Sequence, residues 1–149
     1  MCLSKSYDRP YPRRTGYKLL ELKAGNLSTG SMYGMPITLS SSYTKDVRKK
    51  RIFFAGGEGS YQAGFHIFTR LRDARAIQKS YWPIHVLCKV RFREQVAYGV
   101  VYWWEHGRNT NTVVARECQI VKVLPDSEKR LEELSNVIEH ALKRTSKQR

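Results

Sequence analysis

The residues best equipped for chemistry gather between Tyr61 and Arg75, which read Y-Q-A-G-F-H-I-F-T-R-L-R-D-A-R. A short aromatic strand runs there into a helix whose first turns carry Arg70, Arg72 and Arg75. Gly56, Gly57 and Gly59 lead into it, and Gly64 stands directly before Phe65 and His66. An isolated glycine in a strand marks a bulge or a close approach by another backbone or a ligand. Guanidinium groups grip phosphates through paired, charge-assisted bonds, and a helix N-terminus favours an anion. His66, Arg70 and Arg72 are therefore a candidate anion site. The plainer reading is a core strand followed by a solvated helix. The Gly56-Gly57-Glu58-Gly59 turn is not a phosphate loop, because its spacing matches no such motif and another strand follows it.

Other basic groups also interleave with aromatics. Tyr61, Phe65, Phe68, Tyr98, Tyr102, Trp103 and Trp104 stand near Arg70, Arg72, Arg108 and Arg116 in sequence. Aromatic faces stack nucleobases at about 1–3 kcal/mol each. Phe65, Phe68 and Tyr98 are better read as core. Trp103 and Trp104 are adjacent, and neighbouring strand residues point to opposite faces, so one of the two must occupy a second surface. The candidate ligand-binding set is Tyr61, His66, Arg70, Arg72, Trp103, Trp104, Arg108 and Arg116.

Catalysis finds little support. His66, His85, His106 and His140 form no metal-ligand spacing, and no nucleophile elbow is present. Acidic residues outside the C-terminal segment do not pair near an apolar run. The expectation is a binding protein, not an enzyme, with no catalytic residue, metal site or cofactor. Cys2, Cys88 and Cys118 lack a C-x-x-C pair, which disfavours a disulfide framework or zinc site. Cys88 and Cys118 fall inside apolar strand patterns and read as buried thiols.

The 149 residues suit one domain with a real core, and 41% hydrophobic residues exclude wholesale disorder. Twenty-seven Lys and Arg against 13 Asp and Glu give a net charge of +14. A field of that sign attracts nucleic acid, nucleotides and other anionic partners. No apolar run approaches the roughly 18–20 residues that span a bilayer, so no membrane partner is expected. The first residues lack an apolar signal core, so secretion is not expected either.

The elements that must position these groups belong to an α+β fold. It is a mostly antiparallel twisted sheet of about 5–6 strands, with one helix after the Y-x-x-G-F-H strand and an amphipathic C-terminal helix. Residues 1–15 form a basic, proline-containing extended arm, residues 16–143 a single domain, and residues 144–149 a basic frayed tail. Strands are predicted at Tyr17–Leu22, Met35–Leu39, Tyr61–Phe68, Ile84–Phe92, Val96–Trp104 and Thr112–Leu124. Glu94 and Gln95 make a tight connection between two of them, and His106–Thr112 is a loop. Thr69 is the predicted N-cap of a helix from Arg70 to about Lys79. Val86, Cys88, Val90 and Phe92 alternate with Leu87, Lys89, Arg91 and Arg93, as in a half-exposed strand. Lys45–Arg51 is the densest basic run, read as a solvated face that in so basic a protein also works as an electrostatic funnel. Mixed apolar groups on both faces of Thr112–Leu124 imply a central strand, which leaves Arg116 and Glu117 hard to place harmlessly. The closing helix, Glu128 to about Lys143, must dock on its own domain or pair with a second copy.

From Tyr17 to Leu124 the sequence resembles a group of small phage proteins. The shared skeleton is T-G-Y-K-L-L at 15–20, Y-Q-A-G-F-H-I-F with a following D-A-R, V-L-C-K-V, A-Y-G-V, and V-V-A-R-E-C-Q-I at 113–120. By this resemblance the group includes the viral anti-CBASS sponge proteins of the fourth described type. The resemblance implies a counter-defence protein of the host cytoplasm that sequesters a cyclic dinucleotide such as cyclic GMP-AMP without cleaving it. It also implies a homo-oligomer, specifically a tetramer. The proline-rich arm and the Lys/Arg run at 45–51 depart from the pattern. The alternative is a basic phage protein that binds nucleic acid or blocks a host factor through its charge.

Overall fold

The structure, a computed structural model, describes residues 2–23, 26–28, 42–79, 85–104 and 106–125. The expected strand at Met35–Leu39, the C-terminal helix and the basic tail lie outside the described residues. The described elements are β1 (Lys5–Ser6), β2 (Thr15–Lys23), β3 (Asn26–Ser28), β4 (Thr44–Lys45), β5 (Arg51–Phe53), β6 (Ser60–Gln62), β7 (Phe65–Phe68), α1 (Leu71–Gln78), β8 (His85–Trp103) and β9 (Arg108–Val123). Seven strands make one antiparallel sheet, and β5–β6 form a separate two-stranded ribbon. The broad expectation of a mostly antiparallel sheet with a helix after the Y-x-x-G-F-H strand holds.

The large sheet closes on itself. β8 pairs with β2 from Thr15↔Arg91 to Glu21↔His85, and β2 meets β7 at Tyr17↔Phe68. β7 pairs with β9 from Phe65↔Ala115 to Phe68↔Thr112, and β9 returns along β8 from Trp103↔Arg108 to Cys88↔Val123. The predicted alternation fills this closed interior: Val86, Cys88, Val90 and Phe92 pack with Leu20, Phe65, Ile67, Val113 and Ile120. Both interior thiols are free and buried, and burial pushes Cys88 up to about 12 and Cys118 up to about 11.

The connection expected at Glu94–Gln95 is instead a bend within one 19-residue strand. Glu94 takes a φ of 54°, and the register shifts between Gln95 and Ala97 while pairing with β9 continues. Such a bulge inserts a residue and sharpens the twist without ending the ladder. Arg93 and Glu117, directly opposite, are joined at 2.8 Å beside it. Sequence alone offers turn-forming residues here, but tertiary pairing overrides them.

The basic arm does not fray. Leu3 is fully buried, β1 pairs with β8 at Lys5↔Val100 and Ser6↔Gly99, and Tyr7 N–H donates to the Tyr98 carbonyl at 2.8 Å. The Gln95 carboxamide substitutes for a strand partner farther on. Tyr11 N–H donates to its Oε1 at 2.6 Å, and its Nε2 donates to the Tyr11 carbonyl at 3.1 Å. The Tyr11 ring packs on Phe92 and Tyr98.

Helix α1 covers the outside of β2, β7 and β8, burying Ala74 and Ile77 against Phe68 and Leu87. Its N-cap is Arg70, without a side-chain cap. Thr69, the expected cap, directs its hydroxyl to the Asn111 carbonyl at 3.3 Å. The helix start is thereby tied to β9.

A Cβ at Gly99 would collide with the Lys5 carbonyl. Gly99→Ala is therefore expected to detach β1, at about 1–3 kcal/mol for such overpacking. Hydrogen exchange at the Ser4 and Tyr7 amides, which bond to Val100 and Tyr98, should accelerate selectively. Unchanged exchange there would refute the arm's attachment.

Candidate functional site

The eight candidate residues separate into three locations. Tyr61, His66 and Arg116 are buried. The Tyr61 hydroxyl accepts from Leu3 N–H at 2.9 Å and meets His66 Nε2 at 2.9 Å. Burial, reinforced by the charge of Lys18, depresses His66 to about 3, so the ring is neutral near pH 7. The structure therefore places His66 in the interior, bonded to Tyr61, and not among the residues that line an open cleft. Tyr61 is interior as well, with burial pushing its hydroxyl up to about 12. Gly64 admits a neighbouring backbone rather than a ligand, since a Cβ there would lie 2.7 Å from the Ala115 carbonyl oxygen.

Arg116 belongs to a buried ionic cluster. It donates to the Ala63 carbonyl at 2.5 Å and lies 3.7 Å from Asp46. Asp46, fully buried, receives Arg48 at 2.6 Å. Burial alone would raise the Asp46 carboxyl, but the Arg48 hydrogen bonds and the charges of Arg48 and Arg116 outweigh it and hold the group below its ordinary value. Lys18 enters the same interior and donates from Nζ to the His66 carbonyl at 2.8 Å. Burial brings Lys18 down to about 8. The run Lys45–Arg51 is therefore not a uniformly solvated face. Its single acid is an internal anchor that the surrounding cations hid from a reading by composition.

Trp103 stacks on Phe68 with centroids 6.0 Å apart and donates from Nε1 to Thr110 Oγ1 at 2.8 Å. Trp104 is 76% exposed. The expected strand through Trp104 stops at Trp103, which is partly buried as scaffold, and Trp104 stands exposed in the turn that follows.

Arg70, Arg72 and Arg108 come together. They line a cleft of about 620 Å³ with Asp73, His106, Gly107, Asn109 and Asn111. α1 and its preceding residue supply two arginines, and the β8–β9 hairpin supplies the third. Arg108 donates to Asp73 at 2.8 Å, joining hairpin to helix. Arg70 and Arg72 are exposed and form no ion pair among the described residues. Asn109 and Asn111 lie directly opposite Tyr102 and Val100, so these four share one face of the ladder.

An aromatic group borders the cleft. The Tyr7 hydroxyl donates to Asn111 Oδ1 at 2.8 Å, and the Tyr7 and Tyr98 rings are 4.8 Å apart. Burial raises the Tyr98 hydroxyl, Tyr7 and Tyr11 add to this, and the positive charges of Arg9 and Arg70 oppose it. Cations and tyrosine rings are therefore neighbours at this mouth of the closed sheet.

No family model, curated protein or solved structure matches the chain. The site stands on its own geometry.

His106, Asn109, Asn111, Asp73 and Tyr7 were missing from the sequence-derived set. The interval 106–112 reads as a loop, yet Arg108–Asn111 continue strand β9. The usable signal was the density of amides and cations beside two tryptophans. The cleft can hold a polyanion through guanidinium groups and present carboxamides to a base edge.

The depressed His66 has a measurable consequence. The unfolded chain protonates this ring near 6.5 whereas the folded chain does not until about 3. The unfolded state then binds more protons, so stability is present above pH 6.5 and declines as pH falls toward 3, by at most about 1.4 kcal/mol per unit. Denaturant titrations between about pH 6.5 and about pH 4 should show that slope in the wild type and a flatter one in His66→Gln. Equal slopes would show that His66 is not the responsible group.

Proposed function

We propose that the protein binds a phosphorylated nucleotide in the Arg70–Arg72–Arg108 cleft and holds it intact. The ligand class is the cyclic dinucleotide that the sequence resemblance implies, and the role is that of a viral counter-defence sponge. The observation that carries the reading is the convergence of three arginines, two asparagines and His106 around one cleft, with the Tyr7–Tyr98 pair at its border. Phosphates fit the guanidinium groups, base edges fit the carboxamides, and a base fits an aromatic face. A volume of about 620 Å³ lies within the range of small-ligand pockets.

Magnitudes favour assistance from a second copy. A few charge-assisted bonds at about 1.5–3 kcal/mol each and one or two stacks at about 1–3 must exceed an association cost of about 4–15. A single open cleft yields weak binding, whereas a neighbouring subunit that closes it yields sequestration. The exposed Trp104 beside the hairpin tip suits such closure.

The test is incubation with a panel of cyclic dinucleotides, followed by heating and analysis of the released material. Intact ligand is the expected product, and converted ligand would identify an enzyme instead. Arg70→Ala should weaken binding about 10- to 100-fold, the equivalent of one charge-assisted contact. Absence of binding to every member, or affinity indifferent to Arg70, would refute the reading.

A further inference from the structure

Beyond the part that α1 covers, the outer face of the sheet across β2, β8 and β9 carries a second concentration of cations. Its register defines rows of side chains pointing the same way. Lys89 has Tyr17 on one side and Lys122 on the other, Arg91 has Thr15 and Gln119, and Arg93 has Glu117, which in turn faces Lys45. Arg91, Arg93, Lys122 and Lys45 are exposed, while Lys89 and Tyr17 are half-buried. Within these rows five cations meet one acid.

Two features set this face apart from an ordinary solvated one. Lys89 and Lys122 are direct cross-strand partners, an arrangement in which like charges repel at about 5 Å between Cβ atoms. A bound anion relieves that repulsion. Lys89, Arg91 and Arg93 also alternate along one strand, so they recur about every 7 Å, a spacing that follows successive phosphates of an extended strand. Tyr17, paired to Lys89, packs instead against the apolar cluster under α1 and closes one end of this row.

We propose that this outer face binds single-stranded nucleic acid, with Lys89, Arg91 and Lys122 tracking the backbone and Arg93 held at the edge by Glu117 and the Tyr43 ring. The cations of this face do not line the nucleotide cleft, although the Tyr17–Leu87–Trp103 cluster beneath α1 adjoins both. A broad, pleated face with alternating cations suits a flexible strand better than the groove of a duplex.

Fluorescence anisotropy with a labelled oligothymidylate of about 20 nucleotides, titrated between about 50 and about 200 mM salt, tests this. The variant Lys89→Gln/Arg91→Gln/Lys122→Gln should lose at least about tenfold in affinity, and its salt slope should fall by about 2. A charge-matched control, Lys49→Gln/Lys50→Gln/Arg51→Gln, should lose less than about threefold, and Arg70→Ala should be unchanged. Both triple variants should melt cooperatively, and the double variant Arg91→Gln/Lys122→Gln repeats the comparison with a smaller disturbance. Equal losses in the sheet-face variant and the control would reduce the effect to net charge and overturn the proposal. Absent binding would overturn it too, as would tighter binding of a duplex, of phosphatidylserine vesicles or of polyglutamate. Loss of oligonucleotide binding with cyclic-dinucleotide binding retained would separate this surface from the cleft.

Discussion

The fold depends on one long hairpin. β8 and β9 stay paired from Cys88↔Val123 to Trp103↔Arg108, and β1, β2, β4 and β7 each bond to one of its two arms. Strands of 19 and 16 residues far exceed the usual five or six or so. A flat ribbon of that length would leave one apolar face in water. The register shifts at Lys89/Val90 and Gln95/Ala97 bend it instead, so β2 and β7 complete a closed interior. The same hairpin carries Arg108 and His106 to the start of α1, where Arg70 and Arg72 wait.

Cations in this chain serve two physical roles. Arg48 and Arg116 neutralise the buried Asp46, and Lys18 satisfies the His66 carbonyl. Removing one partner from such a buried set is costly, of order 3–5 kcal/mol, because it strands a charge in a poor solvent. These groups hold β4, β7 and β9 in register. At the surface, Arg108 and Arg93 are paired with Asp73 and Glu117, while Arg70, Arg72, Arg91 and Lys122 stand exposed. A net charge of +14 therefore overstates the charge available for binding, since part of it is internal structure.

The sequence exposed some of this directly. The alternation from Val86 to Phe92 marked the interior face because a half-buried strand requires period two. Trp103 and Trp104 differ in exposure for another reason than the expected strand alternation: β8 ends at Trp103, and Trp104 stands in the turn. Arg70 and Arg72 were legible as exposed cations at one helix start because they follow an apolar strand. His66 was misleading: its neighbours in sequence suggested a ligand, but its neighbours in space are Tyr61 and Lys18. Asp46 was invisible among basic residues, and Asn109 and Asn111 resembled a loop because pairing with Tyr102 and Val100 is a long-range fact. The arm's attachment through Leu3, Tyr7 and Gln95 likewise depends on contacts about a hundred residues apart.

The central claim is that a phosphorylated nucleotide enters between α1 and the hairpin tip. Side-chain NMR of arginine Nε–H and asparagine carboxamide groups, recorded while a cyclic dinucleotide is added, reads this directly. Binding in the cleft predicts saturable shifts at Arg70, Arg72, Arg108, Asn109 and Asn111, with Arg48 and Arg116 unmoved. Shifts confined to Arg91 and Arg93, or none at any arginine, would contradict it.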